Sequence, residues 1–360
     1  MNNNFDSHSH PLFAMWETNA RPGPQISEGA FSPSEDDLEL TDNEAEQLIR
    51  DVAALAPPTF VFAGFDPLLR SRIHSLVQYA ASCGLHPVMI LGSNSHVTRS
   101  VIADLKKAGL SRLGLTLEGG AEQSHDRIAG IPGSFARTIE AIQWANECQL
   151  PLQIHSNVSR RNLPEIEQIG SVIKPFRVLT WSLTFPVPGS GESLHDLPSA
   201  REFEEAFGSI YKVAQELPCK VKTVQAPHYR RFVVQQRMRF RAGTSGLMVL
   251  PMNEVGIPGV LPINEGRASI FISNTGEISP NQWLRVSAGN VRHCKLVDAY
   301  RNSALFGSLR DPENLKGKCG ACEFKVMCGG SRARAWALSG DMFGEEPNCS
   351  YLPMAERKIS

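Results

Sequence analysis

The chain has 360 residues, of which 42% are hydrophobic and 20% charged, an ordinary balance for a soluble globular protein with a sizeable core. Lys and Arg number 36 against 37 Asp and Glu, a formal charge of -1, so no broad basic field exists to hold a phosphate backbone and nucleic acid is not the expected partner. No apolar run approaches the roughly 18 to 20 residues of a membrane-spanning helix, and the start MNNNFDSHSHPLFAMWE lacks the basic and apolar segments of a signal peptide; the expectation is a cytoplasmic protein with no membrane contact.

Residues 1–11 are polar and read as disordered. Apolar or β-branched runs at 12–17, 59–64, 86–91, 112–117, 152–157 and 178–185 then alternate with helical patterns at about 42–55, 68–83, 98–109, 134–148, 163–173 and 200–216. In 134–148, Phe135, Ile139, Ile142 and Trp144/Ala145 fall on one stripe at helical spacing, with Ser134 placed to cap its start. Six strands, each followed by a helix, give an α/β fold with a parallel sheet covered by helices, either open and doubly wound or a partly closed barrel. No GxGxxG follows the first strand, so a dinucleotide fold lacks its fingerprint. Residues 18–40 form a long connection at the C-terminal end of that strand, where parallel α/β folds place ligands. Past about residue 217 the alternation stops. KVKTVQAPHYRRFVVQQRMRFR is basic and partly helical, 243–266 is rich in Gly and Pro, and RASIFISNTGEISPNQW reads as a hairpin turning at Asn274–Gly276. A helix at about 295–307 follows. The expected organisation is a barrel-like unit over 12–216 and a second α+β unit over 217–360.

Of eight cysteines, four crowd the C-terminus as Cys319-x2-Cys322-x5-Cys328-x20-Cys349. In a reducing compartment this is a metal site rather than a disulfide framework. Four thiolates are the full ligand set of a tetrahedral zinc or of a [4Fe-4S] cluster, and Gly317, Gly320, Gly329 and Gly330 let the backbone wrap them closely. The spacing is neither a zinc-finger nor a ribbon pattern. Cys83, Cys148, Cys219 and Cys294 read as small buried hydrophobes.

The segment CGACEFKVMCGGSRARAWALSGD…PNCSYLP resembles the auxiliary-cluster end of radical SAM/SPASM proteins, close to a group with haem-modifying and peptide-modifying members. The resemblance covers nearly the whole chain: PLFAMWE is similar to that family's first strand, LTDNEAEQLI to its first helix, GFDPLLR to its GGEP loop, and LTLEGGAEQSHDRIAGIPGSF to the stretch after strand four. It implies a (β/α)6 partial barrel with a C-terminal SPASM or twitch-like iron–sulfur domain. It implies one auxiliary [4Fe-4S] cluster on Cys319, Cys322, Cys328 and Cys349, and a SAM pocket that includes Gly64, Asp66 and Glu118. The substrate would be a peptide or small molecule.

The chain departs from the family where reductive SAM cleavage needs a CxxxCxxC loop after strand one. Pro22, Ile26 and Gly29 align with the three cysteines, and none precedes Cys83. Phe65 replaces a glycine of the GGEP loop; Asp66 keeps the acid, or serves as a helix N-terminal acid. A second auxiliary site also lacks its ligands: Asn281 and Ser331 stand where relatives have cysteine. The expectation is therefore a radical SAM-like protein with one auxiliary cluster and no SAM cleavage of its own, acting as a partner subunit, substrate binder or electron relay. The alternatives are an active enzyme of the superfamily and a zinc-stapled binding module. Glu118 reads as a cavity-mouth acid or a solvated loop acid, and His155 and Asn157 as cavity or core groups on strand five. His228 to Arg231 read as a site for an anionic substrate or a partner, or as a solvated basic helix face, Arg332 and Arg334 as supports of the cluster loop or partners of nearby acids, and His125-Asp126 as holding the loop after strand four.

Overall fold

A computed structural model describes residue 6 and residues 8–20, 38–57, 59–189, 194–244 and 265–356. Pro22, Ile26 and Gly29 lie outside these residues. The strands are β1 (Phe13–Glu17), β2 (Thr59–Ala63), β3 (Pro87–Leu91), β4 (Arg112–Thr116), β5 (Leu152–Asn157), β6 (Val178–Thr184), β7 (Lys220–Val224), β8 (Ser269–Ile272) and β9 (Ile278–Ser279). They form one sheet in the order β7-β6-β5-β4-β3-β2-β1-β8-β9, parallel except for the β8–β9 hairpin.

From β1 to β7 the order never reverses. A doubly wound sheet has a switch point; this one has none, so every crossover returns on the same side and the helices cover one face of the sheet. Periodicity alone left barrel and open sheet equal, and the strand order decides for a partial barrel. Alternate residues show the two faces. Ala14, Trp16, Phe60, Phe62, Met89, Leu91, Leu113, Leu115, Leu152, Ile154, Trp181 and Leu183 join the main core beneath the helices. On the concave face Phe13, Met15, Val61, Ala63, Val88 and Ile90 form a separate apolar cluster.

The covering helices are α1 (Asp42–Ala54), α2 (Ile73–Ser82), α3 (Arg99–Lys107), α4 (Glu122–Ala129), α5 (Ser134–Glu147), α6 (Ile166–Ile173) and α7 (Ala200–Glu216). Thr41 and Glu44 form a capping box on α1, and Ser199 and Glu202 one on α7. Ser134 does not cap α5: Gly133, with φ +73°, occupies that position, and the Ser134 hydroxyl donates to Asp126 instead at 2.9 Å. The expected helix at 68–83 is interrupted. Asp66 caps a single 3-10 turn over Pro67–Leu69, and α2 begins only after Arg72, whose φ of 56° cannot continue a right-handed helix.

The C-terminal part carries α8 (His228–Thr244), α9 (Leu296–Asn302), α10 (Ala304–Arg310), α11 (Gly317–Gly320) and α12 (Arg332–Ser339). The expected helix at 295–307 is split at Ser303, whose hydroxyl accepts from Phe306 N–H and starts α10. Among the described residues no helix is long and apolar enough to cross a membrane.

Candidate functional site

The four C-terminal cysteines come from α11 and the turns around it. Each sulfur has a backbone N–H aimed at it. Cys319 accepts from Glu346 N–H at 3.2 Å, Cys322 from Phe324 N–H at 3.4 Å and Cys328 from Gly330 N–H at 3.5 Å; Cys349 accepts from Tyr351 N–H. Three of these donors lie two residues after their cysteine. The thiols also act on one another electrostatically. Among the described residues no three His, Cys, Asp or Glu side chains close on the coordination sphere of a single ion. Burial, ahead of every other cause, pushes the Cys322 thiol up to about 11 and raises those of Cys319, Cys328 and Cys349. Their charged form therefore needs a cation to stabilise it.

Gly330 is required here. Its φ is +65°, and a Cβ would lie 2.5 Å from Arg332 Nη2 and 3.4 Å from Cys319 Sγ. Arg332 donates to the Met342 and Gly344 carbonyls at 3.0 and 2.6 Å and reaches Cys319 Sγ at 3.9 Å. Arg334 and Glu346, each 1% exposed, form a buried ion pair at 2.9 Å. Arg334 also donates to the Pro186 and Gln225 carbonyls, tying α12 to the barrel. Glu346 accepts from Ser331 N–H at 2.7 Å and Asn348 N–H at 3.0 Å. Despite burial, the largest single influence and an upward one, the Arg334 charge, with the Ser331 N–H among the lesser causes, holds its carboxyl down at about 2. Arg332 and Arg334 thus support the cluster loop as the sequence suggests, and Glu346 is the partner that the sequence did not single out.

Ser331 and Asn281 have other roles than ligation. Ser331 is buried, caps α12 and hydrogen-bonds Gln225 and Glu265. Asn281 Oδ1 accepts from Trp283 and Leu284 N–H at 2.8 and 2.7 Å, closing an Asx turn. The reading of residues 228–231 as a solvated basic face is overturned. His228 is fully buried, stacked on Phe203 with centroids 5.3 Å apart, and burial drives its imidazole down to about 3. Arg231 is buried too, paired with Glu204 and set 5.1 Å over the Tyr351 ring. The aromatic stripe of α7 accounts for this: Phe203 and Phe207 need cover, and the first turn of α8 supplies it.

At the C-terminal ends of β1 to β3 the structure gathers Gly64 and Asp66 with Asn19 and Ser95. Gly64 has φ +133°, and a Cβ there would lie 2.7 Å from the Asn19 carbonyl oxygen. The Asn19 side chain donates to the Asp66 carbonyl at 2.7 Å and accepts from Asp66 N–H at 3.2 Å. Asp66 Oδ1 accepts from Leu68 N–H at 3.1 Å and from the Ser95 hydroxyl at 2.8 Å, so this acid caps the 3-10 turn over Pro67–Leu69 and not α2. Glu118 stands apart, just past β4. It is buried, not solvated, and takes both the N–H and the side-chain amide of Asn157 at 2.8 and 2.6 Å. His125 Nδ1 accepts from Glu118 N–H at 3.0 Å, and Asp126 accepts from Ser134 and Phe135, so this pair does hold the loop.

Deeper in the barrel, β4 to β7 present a polar wall that sequence reasoning left unassembled. Gln153 Nε2 is 3.0 Å from both His155 Nε2 and Ser182 Oγ, and Gln153 Oε1 accepts from Arg112 at 3.4 Å. Gly114 leaves room for the His155 ring, which lies 3.0 Å from where a Cβ would stand. Burial, then Lys222, drives His155 down to about 3, so it is neutral at pH 7.

Residues 25–169 match the family model described as the Radical SAM superfamily. An AdoMet-dependent heme synthase of Methanosarcina barkeri is 33% identical over 351 residues, covering 95% of this chain and 97% of that protein. One from Nitratidesulfovibrio vulgaris is 33% identical over 320 residues, covering 88% and 85%. The fold is similar to that of Streptococcus suis SuiB solved with bound S-adenosylmethionine, with a TM-score of 0.67 and 13% identity over 95% of this chain and 78% of that one. A relative matched nearly end to end at that identity decides the kinship, and the chain belongs to the radical SAM superfamily.

Proposed function

We propose that the chain holds one [4Fe-4S] cluster on Cys319, Cys322, Cys328 and Cys349 and works as an enzyme of the superfamily, on a peptide or small molecule received by the concave face of the barrel. The observation that carries the metal site is the backbone N–H aimed at each of the four sulfurs, the outer-layer donors that thiolate-bound iron takes. The x2/x5/x20 spacing, neither a zinc-finger nor a ribbon pattern, favours a cluster over zinc. Bound there with four protein ligands, a cluster would supply electron transfer or a structural staple. Kinship with proteins named AdoMet-dependent heme synthase supports an enzyme over a purely non-catalytic partner.

One observation favours a second reading. No cysteine precedes Cys83, so the loop after β1 has no thiolate for a SAM-cleaving cluster. The donor set does not fit that group, and no step through it is assigned to this chain. On this reading the protein binds substrate or relays electrons beside a partner. Metal analysis of anaerobically purified protein, with an assay for 5′-deoxyadenosine from SAM under reductant, separates the two. Deoxyadenosine with about four irons per chain establishes the enzyme as proposed, and with about eight it establishes an enzyme that also holds a second cluster. About four irons and four sulfides, lost in Cys322→Ala, without deoxyadenosine, establish the second reading. About one zinc and no iron overturns the cluster in both.

A further inference from the structure

The polar wall of the barrel has an uneven charge. Arg112 on β4 and Lys222 on β7 face the concave side, linked through Gln153, which accepts from Arg112 and donates to Ser182, the register partner of Lys222. Among the described residues neither is within ion-pair distance of a carboxylate, and Arg112 Nε is buried without any hydrogen-bond partner. Solvent reaches Lys222, yet protein crowds it enough for burial, and then Arg112, to push its ammonium down to about 8. The acids of this face stand nearer its rim and are engaged: Glu17 with Arg285 at 2.8 Å, and Glu118 with Asn157.

Hydrogen-bond logic fixes the rest. A guanidinium only donates, so Arg112 holds Gln153 with Oε1 on its own side and Nε2 turned away. Gln153 Nε2 then donates to His155 Nε2 and Ser182 Oγ. All of its groups are spent on setting Arg112, His155 and Ser182. What the wall offers a ligand is the Arg112 guanidinium and the Lys222 ammonium, with no carboxylate paired to either among the described residues. Beside this wall lies the apolar half of the same face, Phe13, Met15, Val61, Val88 and Ile90.

We propose that Arg112 and Lys222 form a subsite for a carboxylate group of the substrate, whose apolar body lies against β1 to β3. The proposal rests on the reading that the concave face receives the substrate, and on nothing about SAM. A planar carboxylate matches the guanidinium fork, and Lys222 adds a point charge. The test is calorimetric and ligand-observed NMR titration of the full, metal-loaded chain with 3-phenylpropionate, its neutral isostere 3-phenylpropionamide, and inorganic phosphate. The expected result is saturable binding of the acid with Kd below about 10 mM, and binding about tenfold weaker for the amide and in both Arg112→Gln and Lys222→Gln. Lys222 is on an edge strand and reached by solvent, so its variant tests the site even where Arg112→Gln does not fold. Equal binding of acid and amide, unchanged affinity in Lys222→Gln, displacement of the acid by phosphate, or no binding of the acid would each overturn the subsite. None of these readouts involves turnover, so the subsite fails or stands apart from the enzyme reading.

Discussion

Arg334 and Glu346 show how much one buried pair can organise. Glu346 holds Ser331 and Asn348 through its carboxylate and Cys319 through its own N–H, while Arg334 fastens the same group to the end of β6. Removing one member leaves a buried charge without its partner, so Arg334→Ala should destabilise the chain by about 3 to 5 kcal/mol, measurable as a shift in urea midpoint at unchanged slope. The pH dependence follows from the depressed carboxyl. Its stabilisation is complete above the unfolded value near 4.3 and is lost as pH falls toward about 2. Glu346→Gln should flatten that acid limb of the stability curve, and an unchanged limb would show that other carboxylates set it. The four cysteines and both arginines were legible because the x2/x5 spacing and the SRAR run are local signals. Glu346 was not, because a second glutamate in GEEPNC has no local mark to separate it from a solvated neighbour. Gln153 and Lys222 were missed for a related reason: their role depends on strands that meet only in the sheet.

At the scale of elements, the first six strands and most of the helices between them were readable from periodicity to within a residue or two. The exceptions have physical causes. Helix α4, EQSHDRIA, is short and polar on most of its surface, and only Ser124 and His125 are buried. Strand β7, KVKTV, alternates lysine with β-branched residues as an edge strand does, and beside the basic run that follows it looked like part of a charged segment. The start of α1 is the element most open to test. Thr41 and Glu44 close its capping box, and Glu44 also binds Arg292 at 2.5 Å, which, first among several causes, holds its carboxyl at about 2. Thr41→Ala should therefore cost about 1 kcal/mol. Glu44→Ala should cost more, because it loses the capping contact and the Arg292 bond together. Thermal unfolding of the two single variants and the double variant would measure this, and equal losses would show that the Arg292 bond adds nothing.

At the scale of the molecule, the resemblance anticipated the partial barrel, but how the C-terminal part joins it was not in the pattern. A hairpin at Asn274–Gly276 was legible; that its first strand runs parallel to β1 was not, because nothing local in SIFI names a partner some 250 residues earlier. Arg285 with Glu17, Arg292 with Glu44 and Arg301 with the Ser9 carbonyl reinforce the join. This arrangement bears on the order of synthesis. β1 leaves the ribosome first but lies between β2 and β8, so one of its edges stays bare until most of the chain has been made. A nascent chain ending near residue 216 would carry that edge as an unpaired strand, a template for pairing with another chain. Released at that length, it should self-associate in sedimentation while the full chain does not. A monomeric fragment would mean that the edge is shielded some other way. The growing protein thus has a vulnerable interval as long as the distance between its first strand and its eighth, and a cell that makes it has reason to keep a chaperone close during that interval.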